Sequence, residues 1–89
     1  DALFTQALYF EQLDDYASAE ANLLSLLDFH PESLLYDDTI FKLGVLYRDH
    51  LGDPEKAKTM FERIIFEFPS SIYLVDARAA FRKLRGDDI

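Results

Sequence analysis

The sequence contains no cysteine. That excludes a disulfide framework, a thiol nucleophile and a zinc–thiolate site, and says nothing about compartment. Glycine and proline number only three each, low for a loop-rich or all-β chain. No apolar run approaches the roughly 20 residues of a membrane-spanning helix. Positive charge is scarce: nine Lys and Arg stand against 17 Asp and Glu, a formal charge of −8. A surface of that sign repels phosphate backbones, which argues against nucleic acid and favours solubility and basic partners. The chain opens at Asp1 with no initiator methionine and no signal peptide. The expectation is a piece of a longer protein, or a mature form whose targeting segment is out of sight.

What is present is enough apolar matter for a core. Hydrophobic residues make up 49% of the 89 positions and aromatics 15%, so the chain is read as one small packed domain rather than a disordered one. That domain is written as an internal repeat. Ala19, Leu23, Leu26 and Pro31 are answered by Ala57, Phe61, Ile64 and Pro69, at identical spacing from the small residue onward. Upstream, Ala7 and Phe10 are answered by Gly44 and Tyr47, after Leu43. A fixed period of this length is the signature of stacked supersecondary units, none of which buries its apolar face alone.

Helical spacing of apolar residues predicts five helices, over about 2–12, 16–29, 34–50, 54–68 and 72–84, and no strand. Asp15 is placed to cap the second helix and Ser33 the third. His30-Pro31 and Phe68-Pro69 end the second and fourth. Gly52-Asp53-Pro54-Glu55 is the sharpest boundary: a left-handed residue, an N-cap, a first-turn proline and an acid at the positive helix end. The small residues Ala7, Ala19, Gly44 and Ala57 mark close approaches within helix pairs, while Tyr47 and Phe61 read as fillers of the gap between hairpins.

At these residues the chain resembles the tetratricopeptide repeat family. The second repeat supplies Ile40, Leu43, Gly44, Tyr47, Ala57, Phe61, Ile64 and Pro69. The first supplies Leu3, Ala7, Phe10, Ala19, Leu23, Leu26 and Pro31, departing at Gln6, where the motif has leucine. The resemblance implies an all-α, right-handed superhelical solenoid: repeat one over 1–33, repeat two over 34–71, a capping helix over 72–85 and a tail over 86–89. Arg78 and Arg82 on the fifth helix stand where the motif has Ile40 and Gly44, which reads as a polar outer face closing the array near its end. The prolines lie 38 residues apart, against a usual period of about 34. That Pro-x-Ser spacing, read as a prolonged third helix, is similar to repeats of bacterial envelope proteins, the Tol-Pal-associated periplasmic and outer-membrane assembly lipoprotein types. It implies a lean toward the periplasm or outer membrane, with the cytoplasm as alternative.

The resemblance also implies a concave groove for a protein or peptide partner. Its lining places are Phe4, Leu8, Glu11 and Gln12 after Asp1 in repeat one. In repeat two they are Asp38, Phe41, Val45, Arg48 and Asp49 with Lys42 adjacent, followed by Asp76, Ala79 and Lys83 on the last helix. Heat-shock co-chaperones of this family clamp a terminal carboxylate with Lys and Asn at such places; Phe4, Leu8, Phe41 and Val45 stand there instead, so an acidic tail is not the expected ligand. The function read from this is a non-catalytic interaction scaffold. Self-association within a longer array, or service as an accessory domain to an enzyme, are the alternatives.

Catalysis, a cofactor and a metal are not expected. His30 and His50 sit at helix ends without partners at acid–base or ligand spacing, and a helix C-terminus accounts for both. The acid pairs at 14–15, 37–38 and 87–88 point in divergent directions and read as solvated caps. Arg85-Gly86-Asp87 reads as a fraying helix end rather than an adhesion motif.

Overall fold

Local capping decides where each rod begins. In the computed structural model, which describes residues 1–86, the helices are α1 Ala2–Gln12, α2 Tyr16–Phe29, α3 Tyr36–Asp49, α4 Pro54–Glu67 and α5 Leu74–Arg85. No strand occurs among the described residues. Asp15 Oδ1 accepts from the Ser18 N–H (3.2 Å) and Asp53 Oδ1 from the Lys56 N–H (3.0 Å), the same cap in both hairpins. The residue before each cap is left-handed: Asp14 at φ 58° and Gly52 at φ 61°. The repeat therefore extends to backbone conformation, with an aspartate doing in the first hairpin what glycine does in the second.

Both corners between hairpins are also built alike. The His30 N–H donates to Leu26 O at 2.9 Å, and the Phe68 N–H to Ile64 O at 3.0 Å. Ser33 Oγ accepts from the Leu35 N–H (3.0 Å), and Ser71 Oγ from the Tyr73 N–H (3.1 Å). These hydroxyl turns hold two residues out of the helix, so α3 starts at Tyr36 instead of 34 and α5 at Leu74 instead of 72. The first full helical bonds run from the Thr39 N–H to Leu35 O and from the Ala77 N–H to Tyr73 O, both 2.8 Å. At the other ends, α3 stops at Asp49 and α4 at Glu67, one residue short of expectation, and α5 runs on to Arg85. The added length of the repeat thus lies in the corner before α3 and, by one residue, in the turn at Gly52. The third helix is not prolonged at its start: it begins two residues later than expected, and its 14 residues equal those of α2 and α4 and exceed the 11 of α1.

Packing follows the small residues. Ala7, Ala19, Ala57 and Ala77 are fully buried and join Leu23, Ile40, Leu43 and Ile64 in one core. A β-carbon at Gly44 would lie 2.7, 2.8 and 3.1 Å from three carbons of the Phe61 ring. The absent side chain is therefore what lets α3 and α4 nest around that ring. Phe61 fills the space inside the second hairpin, not the gap between hairpins. Tyr47 does span that gap, donating its hydroxyl to Glu20 Oε2 of α2 at 2.6 Å. Burial and that carboxylate together push the Tyr47 phenol well above its ordinary range. Gln6, the departure from the motif, is accommodated as a polar partner, its Oε1 accepting from Asn22 Nδ2 at 3.0 Å. Each helix packs on the next, giving two antiparallel couples plus α5 in a slab with extents of 38 × 27 × 17 Å. Gly86 closes α5 in the left-handed conformation at φ 98°. The rest of the expected tail, 87–89, with Asp87 of the tripeptide and the last acid pair, lies outside the described residues.

Candidate partner-binding groove

Helices α1, α3 and α5 share one layer, with α2 and α4 behind them. Two sets of contacts tie that front layer together. Lys42 of α3 pairs with Glu11 of α1 at 3.1 Å. Between α3 and the corner leading into α5, the Phe41 and Tyr73 rings stack at 4.5 Å, and the Tyr73 hydroxyl donates to Asp38 Oδ1 at 2.5 Å. That bond, with burial second, pushes the Tyr73 phenol up to about 12.

The expected lining residues divide accordingly. Phe4 is half-buried against the core, and Leu8 is 40% exposed on the same helix. Glu11 and Lys42 neutralise each other, and Gln12 lies exposed at the end of α1. Asp38 is committed to Tyr73. Phe41 is held on both sides, stacked on Tyr73 and edge-on to Phe61 at 5.6 Å. Arg48 is bonded to its neighbour Asp49 through Nε (2.8 Å) and Nη2 (3.1 Å). The guanidinium holds the Asp49 carboxyl below its usual range.

An open hollow of about 410 Å³ lies between α3 and α5, lined by Phe41, Val45, Arg48, Asp76, Ala79, Ala80 and Lys83. Its floor is apolar. Asp76 stands in the first turn of α5 and Lys83 in the last, two helical turns apart on one face, with Arg48 at the end of α3. Neither Asp76 nor Lys83 has an ion-pair partner among the described residues. Phe4 and Leu8 do not line this hollow. Tyr73 went unnoticed in the sequence, although it follows the second Pro-x-Ser turn as Leu35 follows the first, and the ring at that place was the available signal.

The hollow is large enough to hold a side chain. No group of three or more His, Asp and Glu residues able to hold a metal occurs among the described residues. His50 stacks on Tyr16 with ring centres 3.9 Å apart, and His30 lies 3.8 Å from Glu32 at the other end of the hairpins. No described helix is long and apolar enough to cross a membrane.

A family model described as tetratricopeptide repeat matches residues 1–33 and 38–71, well over half of the chain. The chain belongs to the tetratricopeptide repeat family. Repeats of this family generally mediate protein–protein interaction, which is the coarse function of this chain, and the family is typically non-catalytic. The match is to the repeat at large and carries nothing about the envelope subtype. No curated protein and no solved structure matches the chain.

Proposed function

We propose that the chain is a non-catalytic scaffold that holds a partner polypeptide against the α3–α5 hollow. The observation that carries this reading is the pairing of an open apolar floor with unpaired charges at its two ends. Apolar anchors seated in a partly dehydrated pocket carry most of the energy of such contacts, while rim charges set orientation. Here the order is acid then base along α5. The favoured segment presents an apolar side chain to Val45 and Ala79, a cation toward Asp76 and an anion toward Lys83. The 38-residue Pro-x-Ser spacing favours, by resemblance alone, an encounter in the bacterial envelope.

A random-peptide display selection on the immobilised chain, followed by titration of the selected peptides, tests the reading. Ala79→Glu changes an exposed residue in the hollow and leaves the core untouched. The peptides are expected to lose at least tenfold in affinity for it, about 1.4 kcal/mol. Selected peptides that bind Ala79→Glu as well as the unaltered chain overturn the groove.

Self-association is a second reading with its own observation. Tyr9 of α1 and Leu13 just past its end are each 58% exposed, whereas Leu46, the counterpart of Tyr9 in α3, is buried at 1%. A second copy covering these side chains would raise the sedimentation coefficient with concentration, and Tyr9→Ser would abolish the rise.

A further inference from the structure

The five most exposed large apolar side chains among the described residues all lie on one edge of the slab. Leu34 is 95% exposed and Ile72 85%, at the same position of the two Pro-x-Ser corners. Phe29, Phe66 and Val75, at 72–74%, lie in the last turns of α2 and α4 and the first turn of α5. None of them holds the fold together. Stacking of repeats does not cover the edge either: Leu34 sits at the junction of two stacked hairpins and is still almost fully solvated. Between the corners runs a second open depression of about 410 Å³, lined by Leu34, Tyr36, Phe68 and Pro69 together with Asp37, Glu67 and serines of the two turns. Scattered exposed leucines need no explanation, but five large apolar side chains on one edge, two of them at matching corner positions, mark an interaction surface.

The charge of this edge selects its occupant. Residues 27–37 and 65–75 contain Asp28, Glu32, Asp37 and Glu67, and not one Lys or Arg. The cation that reaches the edge from α4, Arg63, is spent on Glu67 (3.2 and 3.3 Å) and on the Tyr36 hydroxyl (3.2 Å). A second copy would set Asp28, Glu32 and Asp37 against their own counterparts, and an anionic lipid surface would repel them. We propose that this corner edge is a second docking surface, separate from the hollow, for a cationic amphipathic segment of a partner protein. Its apolar side chains would cover Leu34 and Ile72, and its Lys and Arg would face the carboxylate rim.

The chain has no tryptophan, so a probe carrying one reports binding by fluorescence without background. The probe is a synthetic amphipathic peptide with leucine on one helical face, lysine on the other and a single tryptophan. The comparison probes are its glutamate counterpart and a scrambled lysine peptide of equal composition. The lysine peptide is expected to bind and to weaken with salt. Leu34→Ser with Ile72→Ser, which alters only exposed side chains, is expected to weaken it at least tenfold with far-UV circular dichroism and melting unchanged. Ala79→Glu in the hollow is expected to leave it unaffected, so this surface and the groove stand or fall separately. Equal binding to the serine variant, equal binding of the scrambled or glutamate peptide, or loss on Ala79→Glu overturns the proposal. So does Leu34-dependent dimerisation of the chain alone, or Leu34-dependent pelleting with phosphatidylcholine vesicles.

Discussion

Adding one methyl group at Gly44 opposes two effects of comparable size, and the geometry decides between them. Glycine to alanine in a helix interior gains about 1 kcal/mol, because alanine gives up less backbone freedom. At this site the new β-carbon would lie 2.7 Å from a ring carbon of Phe61, where carbons prefer about 3.5–4.0 Å. Phe61 is fully buried and pinned by Phe41, so the ring has nowhere to turn. Overpacking of this kind costs about 1–3 kcal/mol, so Gly44→Ala is expected to be destabilising by up to about 2 kcal/mol net. For a domain of this size, each kcal/mol lowers the melting temperature by about 4–8 °C. The first repeat supplies the control, since it sets Ala7 where the second has Gly44 and Leu23 where the second has Phe61. Gly44→Ala in a Phe61→Leu background installs that pairing, and there the substitution is expected to turn neutral or stabilising. Urea unfolding followed by far-UV circular dichroism measures all four corners of the cycle. A single Gly44→Ala variant more stable by about 1 kcal/mol, with no coupling to position 61, would refute the close-approach reasoning.

Two further outcomes follow from individual residues. Asp14 is held left-handed at φ 58°, the conformation its counterpart Gly52 adopts freely. Asp14→Gly is expected to stabilise the chain by up to about 1 kcal/mol in the same unfolding assay, at the loss of the exposed bond from the Tyr16 hydroxyl (2.8 Å). The Tyr73 phenol is raised to about 12 in the folded chain against 10.0 for an ordinary tyrosine. Its contribution is therefore complete below pH 10 and is lost as pH rises toward 12, because the unfolded chain releases that proton first. Tyr73→Phe is expected to flatten the fall in stability over that window, and an unchanged slope would show that the bond to Asp38 contributes nothing.

Much of the architecture was legible because its determinants are local. Asp15, Asp53 and the Gly52–Pro54 boundary cap helices by bonds reaching two or three residues, so composition at those points is enough. The corners misled for the same reason. Leu34 and Leu35 continue an apolar helical spacing, and only the Ser33 hydroxyl bond to the Leu35 N–H shows that the turn captures them first. The groove was less legible. Family places pointed to Phe41, Val45, Arg48, Asp76, Ala79 and Lys83, and the fold brings these around one hollow. Yet Glu11, Lys42 and Asp38 are consumed by partners on neighbouring elements, and Tyr73 enters from a corner 35 positions away from Asp38.

By itself the sequence determined the five-rod repeat and the caps of α2 and α4, since these rest on apolar spacing and on capping bonds a few positions long. Tertiary structure alone decided which charges remain free, which aromatic rings become floor, and where apolar side chains stay wet. Those outcomes depend on pairings between segments far apart in the chain, and no local propensity encodes a distance between them.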